Sequence, residues 1–303
     1  MSQKNRFGLS RNIPRHIAKK IRQEAGFGCV VCGAIPFEYE HIDPTWVEAN
    51  KHDPDRMTLL CGGCHSKVTL GLLSKETVWK AKKAPKTLEK GYSNVYLDFT
   101  EKIPDVKIGE TIFVDCDVPL RVAGKPVIES RIRTFENGRK QIYLSGSFYN
   151  EQGEEIGCII DNEWRGLITN HDIFTVKNRI TVKSDKKIIF QFSLEPPNLI
   201  TIEVLNLSYK GNSVFISNSE TSTHLVFMGS PAPGSNNVLP GVFFTFDPGR
   251  VFGLESIDLD SSLLIKEKEG QPLVFHPSNG QPQVIIPASH SMRTKEQKRG
   301  FGK

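Results

Sequence analysis

Residues 29–71 read CVVCGAIPFEYEHIDPTWVEANKHDPDRMTLLCGGCHSKVTLG. Two cysteine pairs, Cys29/Cys32 and Cys61/Cys64, bracket 28 intervening residues. Pairs of this CxxC kind in a chain without secretory features read as metal ligands and not as disulfides. Zinc takes four ligands in a tetrahedron and favours thiolate sulfur. One CxxC turn brings two sulfurs to a point, and the second pair closes the shell. The spacing exceeds that of a short zinc finger, so the unit must enclose something.

It encloses two short apolar runs. FEYEH, Phe37 to His41, reads as an extended segment leading into a loop that begins IDPTW, and Met57 to Leu60 is a second run ending at Cys61. A helix is expected after Cys64, with Gly71 limiting its length. Glu40 and His41 then end the first strand and His65 opens the helix, so zinc at the cysteines would draw these ends together. Glu40 and His65 are candidate ligands of one divalent cation, Mg2+ or Mn2+, which needs oxygen or imidazole donors and open positions for phosphate. His41 is the candidate base, since imidazole titrates near neutrality. Together these are parts of metal-assisted phosphodiester hydrolysis. The plainer alternative is that both histidines pack or cap inside a zinc fold.

The segment CVVCG…FEYEHIDP…DRMTLLCGGCHSKVTLG resembles the HNH, or ββα-metal, endonucleases. His41 to Arg56 is 15 positions and Arg56 to His65 is 9, similar to the family's His–Asn–His spacing. Leu60 to His65 matches the family's LCxxCH ending. The resemblance covers roughly residues 10–90. It implies a two-stranded hairpin and helix around a Mg2+-type ion, with His41 as general base, Glu40 and His65 as ligands of the catalytic ion, and the four cysteines holding structural Zn2+. Where the family usually carries Asn, which in many members ties the loop, this chain has Arg56. A guanidinium cannot ligate a metal, but it can contact a phosphate or the charge developing in the transition state.

The 303 residues suit two domains. The expected layout is an HNH nuclease domain over 1–92, a β-rich targeting or regulatory domain over 93–290, and a basic tail over 291–303. Charge divides along those lines. Residues 1–92 hold 16 Lys/Arg against 9 Asp/Glu, residues 93–290 hold 18 against 24, and the tail holds 5 against 1. A basic N-terminal segment ahead of an acidic body suggests contact with a polyanion. Arg15, Lys19, Arg56 and Lys67 are the candidate phosphate contacts. No apolar run approaches the roughly 20 residues that cross a bilayer, and the opening MSQKNRFGLSRNIPR lacks a signal-peptide core. A cytoplasmic protein without membrane contact is expected.

A helix is predicted from Pro14 to Ala25, with Ile17 and Ile21 on one face and Arg15, Lys19, Lys20 and Arg22 on the others. That basic surface fits phosphate tracking and plain solvation equally. A second helix is predicted from Lys75 to Lys83, with Ser74 as N-cap and Pro85 as terminator. Lys80 to Asn94 then reads as a linker. Beyond it strands dominate: Ile188, Phe190, Phe192 and Leu194 alternate with Ile189, Gln191 and Ser193, and Ile200, Ile202 and Val204 with Thr201 and Glu203. Asn137-Gly138 and Gly211-Asn212 are hairpin signals, with further turns at Glu151–Gly153, Ser184-Asp185 and Pro196–Asn198. The fold class is α+β, a zinc-stabilised ββα-metal domain followed by a mainly antiparallel sandwich or barrel. Gly229 to Gly241 reads as a long loop.

Other polar residues have bland readings. His52, with Asp53 and Asp55, fits loop polarity better than a ligand or phosphate contact. Asp43 fits the start of a turn at Asp43-Pro44 better than a bond to an imidazole. Trp46, Trp79 and Trp164 fit packing better than base stacking or ligand clamping, and Cys116 and Cys158 fit burial. His171, His224 and His276 carry no ligand spacing.

The expected function is a metal-dependent HNH endonuclease cutting double-stranded DNA, with RNA a poorer fit, in a bacterial or phage defence or restriction setting. The β domain would read a DNA site, an activating ligand or a partner protein, and a homodimer would suit cutting of both strands. The alternative is a non-catalytic, zinc-dependent nucleic-acid-binding protein with a β interaction domain.

Overall fold

A computed structural model describes residues 4–100, 102–109, 111–169 and 171–219. Beyond these it describes 222–228, 243–244, 249–252, 254–259, 263–267, 269, 273–277 and 284–286, with side chains described through 216 and at 269. The 291–303 tail, the 229–241 loop and the side chains of His224 and His276 lie outside the described residues.

The N-terminal segment follows from its apolar spacing. Helix α1 (Arg15–Glu24) starts after Pro14 and buries Ala18 and Ile21, while Arg15, Lys19 and Lys20 stay exposed. Strand β1 (Phe37–His41) pairs antiparallel with β2 (Met57–Cys61), in a register that sets Phe37 against Cys61, Glu40 against Thr58 and His41 against Met57. A single 3-10 turn over Pro54–Arg56 leads into β2. Helix α2 (Gly62–Thr69) starts immediately after β2, three residues earlier than expected, because Cys61 caps it: the Cys61 Sγ accepts from the Cys64 N–H. Helix α3 (Lys75–Lys83) has the predicted cap, Ser74 Oγ accepting from Thr77 N at 3.2 Å. Ile21, Ala25, Cys29, Val30, Ile42, Met57, Leu59, Leu60, Cys64 and Val78 form one core, with Ile17 and Trp79 packed at its edge. Burying a side chain such as Ile21 contributes roughly 1.5–3 kcal/mol.

The stretch read as a linker is ordered and paired. It holds the short helix α4 (Lys86–Lys90) and strand β3 (Tyr92–Tyr96). Lys86 N–H donates to Val30 O at 2.8 Å, and the buried Thr87 hydroxyl donates to Ala25 O at 2.6 Å. Ile35 N–H donates to Asn94 O and Asn94 N–H to Gly33 O, a bridge between β3 and the first cysteine turn. Satisfying these main-chain groups fixes the segment.

The strands that follow are β4 (Asp105–Ile108), β5 (Thr111–Phe113), β6 (Val118–Val122), β7 (Lys125–Thr134), β8 (Lys140–Tyr149), β9 (Glu155–Ile160) and β10 (Glu163–Leu167). Next come β11 (Asp172–Val176), β12 (Arg179–Ser184), β13 (Lys187–Glu195), β14 (Leu199–Tyr209), β15 (Asn212–Ser219) and β16 (Ser222–Met228). The remainder are β17 (Phe243–Phe244), β18 (Gly249–Phe252), β19 (Leu254–Leu259), β20 (Leu263–Glu267), β21 (Leu273–Pro277) and β22 (Val284–Ile286). The molecule is therefore mixed α+β, with few helices and mostly antiparallel sheets.

Two compact units result, Met1–Asp98 with Ser147–Leu194, and Phe99–Gly146 with Glu195–Lys303. In the first, β3 and β9 flank β10, and β11, β12 and β13 form an antiparallel series. Trp164 is fully buried there, with the Phe148, Phe190 and Phe192 ring centroids 5.2–5.6 Å from its own. Arg22 of α1 donates to both Asp172 oxygens, at 2.8 and 2.6 Å, and to the Tyr39 hydroxyl at 2.8 Å. These contacts and the β3–β10 pairing join residues 147–194 to the cysteine-bearing segment.

In the second unit most pairs are antiparallel, but β14 with β4, β18 with β5 and β19 with β6 are parallel. The Asn137-Gly138 hairpin joins β7 and β8 as predicted. The other hairpin turns one residue earlier than its signal. Lys210 and Gly211, both at positive φ, make the turn, and Asn212 pairs with Tyr209. Along β14 the inward alternation breaks: Ile202 and Glu203 are both buried, after which Leu205 and Leu207 face inward and Val204 does not. Among the described residues no helix is long and apolar enough to cross a membrane.

Candidate metal site and the residues around it

The first cysteine turn is shaped by backbone closure. Gly33 N–H donates to Cys29 O at 2.7 Å and Cys29 N–H to Ala34 O at 3.0 Å. A Cβ on Gly28 would sit 2.6 Å from Gly33 O and 2.9 Å from Thr87 Cγ2, so the turn admits only glycine there. Val30 N–H donates to Leu59 O and ties this turn to β2, whose last residue is Cys61. The four Sγ atoms of Cys29, Cys32, Cys61 and Cys64 consequently lie within 4.8 Å of one another. The Cys32–Cys61 and Cys32–Cys64 separations are 3.6 and 3.9 Å. A tetrahedral zinc with sulfurs at about 2.3 Å requires roughly 3.8 Å between them.

The donor set also fits. A hydrogen bond from Cys32 lowers the Cys29 thiol to about 5, while the same bond raises Cys32. Burial pushes Cys64 up to about 12. Four sulfurs this close cannot all ionise without a cation among them, and a zinc ion supplies it. The four cysteines can hold zinc, and among the described residues they are the only such group of three or more Cys, His, Asp or Glu side chains.

Beside this cluster, β1 and α2 bring two predicted residues together. Glu40 Oε2 lies 3.1 Å from His65 Nε2, and Glu38 Oε2 lies 4.0 Å from His65 Nδ1. Adjacent ligands about 2.1 Å from an octahedral ion lie roughly 3.0 Å apart, so the Glu40/His65 pair fits two positions of one hard cation. Burial raises the Glu40 carboxyl despite the opposing pull of His65. Thr58, directly across from Glu40 and so on the same face, is buried, and its Oγ1 has no hydrogen-bond partner among the described residues.

His41, next along β1, engages other groups. Its Nε2 lies 3.2 Å from His52 Nδ1, and His52 Nε2 lies 2.9 Å from Ser10 O. Burial lowers His41 to about 4, with His52 and Arg11 adding to the effect. His52 is thus a buried partner of His41 and not part of a solvated loop, and no residue spacing signals that contact.

Arg56 donates from Nη1 to Asp43 O at 3.1 Å, while Ile42 N–H donates to Arg56 O. Asp43 accepts an ion pair from Lys75 at 3.6 Å. Arg15, Lys19 and Lys67 are exposed, and none is hydrogen-bonded or ion-paired to Glu40 or His65. Trp46 lies under Arg11, 4.0 Å from guanidinium carbon to ring centroid. Cys116 is buried and Cys158 half-buried, and His171 is buried with Nδ1 unpartnered among the described residues.

Compared with protein-family models, curated proteins and solved structures, the chain matches none.

Proposed function

We propose that the chain is a metal-dependent endonuclease of the HNH kind, hydrolysing phosphodiester bonds in double-stranded DNA. The observation that carries this reading is the 3.1 Å pairing of Glu40 with His65 beside a four-cysteine cluster, with His41 the next residue along the strand. The hairpin β1–β2 followed at once by α2 is consistent with it. A divalent ion held by Glu40 and His65 would supply charge neutralisation at the phosphate.

His41 is the base in this reading: its ring is uncharged near neutrality, although burial, lowering it to about 4, leaves it a weaker base than the near-neutral imidazole expected from the sequence. Arg56 ties Asp43 to the foot of β2, the loop-fastening that an Asn performs in many HNH nucleases, and its exposed guanidinium keeps further donors for a phosphate. Arg15, Lys19 and Lys67 add to the positive surface that DNA requires. The β-rich remainder selects the target or receives an activator, a step taken by analogy with genome-defence nucleases.

The test incubates zinc-loaded protein with labelled duplex DNA, single-stranded DNA and RNA, in Mg2+, Mn2+ or EDTA. Cleavage of duplex that requires the ion supports the reading. Salt-sensitive binding without cleavage under all conditions replaces it with the non-catalytic binding protein.

A further inference from the structure

Towards their shared turn, β7 and β8 set Arg131 against Tyr143, Ile132 against Ile142, Arg133 against Gln141 and Thr134 against Lys140. Residues opposite each other share a face, and neighbours along a strand alternate. One face of this ribbon therefore carries Arg131, Arg133, Gln141 and Tyr143, and the other carries Ile142. Ile142 is 2% exposed, so its face is the inner one. On the outer face Arg131 and Arg133 are exposed, because burial along β7 ends at Ser130. Arg139 and Lys140, beside the turn, are exposed as well. This charge runs against its surroundings. Residues 131–141 hold four Lys/Arg and one Asp/Glu, inside a segment, 93–290, that holds 18 against 24.

The outer side chains are held in place by neighbours. Arg131 Nη2 donates to Glu129 Oε1 at 2.6 Å, and the Arg133 guanidinium carbon lies 5.1 Å from the Phe135 ring centroid. The Tyr143 hydroxyl donates to Gln141 Oε1 at 3.2 Å. A guanidinium has five N–H donors, so one ion pair leaves most of the fork for another acceptor. Paired strands lie about 4.8 Å apart, and a two-stranded ribbon fits the roughly 12 Å major groove of B-DNA. Arg131 and Arg133, two residues apart, advance about 6.8 Å, the length of two base steps. A guanidinium fork matches the two acceptors on a guanine edge, and a Gln amide matches adenine.

We propose that the β7–β8 ribbon is the target-reading arm, entering the major groove of duplex DNA with Arg131, Arg133 and Gln141 on base edges and with Arg139 and Lys140 on flanking phosphates. The inference rests on the duplex-DNA reading given above, and it assigns to one hairpin the target selection left there to the β-rich remainder.

The experiment uses zinc-loaded, full-length protein in EDTA, where binding is read without cleavage. The probe is a pool of short random-sequence duplexes; bound duplexes are sequenced, and affinity is followed across a salt series. Wild type should enrich two G·C pairs two base steps apart, each by roughly 5–150-fold. Arg131→Ala/Arg133→Ala should lose that enrichment. Arg139→Ala/Lys140→Ala should keep it but bind more weakly, with a salt slope shallower by about 1.8, the value for two phosphate contacts. Lys102→Ala/Lys186→Ala removes as much charge from exposed positions off the ribbon and should change neither readout. Unselective binding or no duplex binding by wild type, wild-type selection in Arg131→Ala/Arg133→Ala, or a control as impaired as the ribbon variants overturns the proposal. Cleavage in Mg2+ or Mn2+ is scored separately. Ribbon-dependent selection without cleavage removes the nuclease reading and leaves the arm, whereas cleavage by every variant at wild-type sites removes the arm and leaves the nuclease.

Discussion

Glu40 Oε2 and His65 Nε2 meet at 3.1 Å, joining the first strand of the hairpin to the helix that follows the second. Neither residue is in the zinc-cysteine shell, yet Cys61 and Cys64 flank the step from strand to helix that carries His65 there. On the nuclease reading proposed above, the pair binds a divalent ion of its own. Titration of zinc-loaded protein with Mn2+ should detect binding, and Glu40→Ala or His65→Ala should weaken it by at least about tenfold, the loss expected even for an outer-shell partner.

A zinc ion held by the four clustered cysteines would make folding of this unit depend on the metal. The first cysteine turn is fastened to β2 through Val30 and to α4 through Val30 and Cys32, the latter accepting from Lys90 Nζ at 3.0 Å. Binding at a structural zinc site is worth on the order of 10 kcal/mol of folding energy. Strong chelators should release zinc and collapse the ordered signal around Trp46 and Trp79, read by near-ultraviolet circular dichroism. Serine at Cys29, Cys32, Cys61 or Cys64 should lower zinc content, while serine at Cys116 should leave it unchanged.

Thr58 carries a buried hydroxyl without a partner among the described residues. Replacing such a group by a methyl of the same shape is neutral or favourable. Thr58→Val should hold or raise stability by about 1 kcal/mol in denaturant unfolding.

Arg22 is held by Asp172 and Tyr39, and the two ends of the Arg22–Asp172 bridge are 15% exposed each. Burial works against its charge, but the bonds to Asp172 and Tyr39 outweigh this and raise its pKa. Removing one partner of a buried pair typically costs on the order of 3 kcal/mol. Arg22→Ala should lose stability on that scale, and Arg22→Lys should not restore it, because the two-pronged contact needs a guanidinium.

His41 gives stability a definite pH slope. Its folded pKa is lowered to about 4 by burial, whereas an unfolded histidine titrates near about 6.5. Between those values the unfolded chain binds the proton and the folded chain does not. Its contribution is fully present above pH about 6.5 and is lost as pH falls towards about 4. Urea midpoints at pH 7 and pH 5 should differ more for wild type than for His41→Gln.

The parts legible in the sequence were those governed by local rules. The CxxC pairs announced the clustered sulfur donors, the extended run FEYEH and the apolar run MTLL announced the two strands, and Ser74 announced the start of α3. What escaped was set by contacts distant along the chain. Lys80 to Asn94 has a linker's composition, yet α4 and β3 form because Ala25, Val30 and Gly33 offer main-chain partners. Nothing near Arg22 points to Asp172, 150 residues away. His52 sits among Asp and Lys as a solvated loop residue would, and only folding sets it against His41.

The shift of the second hairpin has a similar origin. Gly211-Asn212 is a fair turn signal alone, but the pairing of Tyr209 with Asn212 leaves Lys210 and Gly211 to supply the two positive-φ positions.

The most direct test of the nuclease reading is conversion of supercoiled plasmid by zinc-loaded protein in Mg2+ or Mn2+, beside His41→Ala at equal zinc content. The account predicts ion-dependent nicking or linearisation by the wild type and a loss of roughly 10²–10⁴-fold in the variant. Equal rates for the two proteins, or cleavage that persists in EDTA, would contradict it.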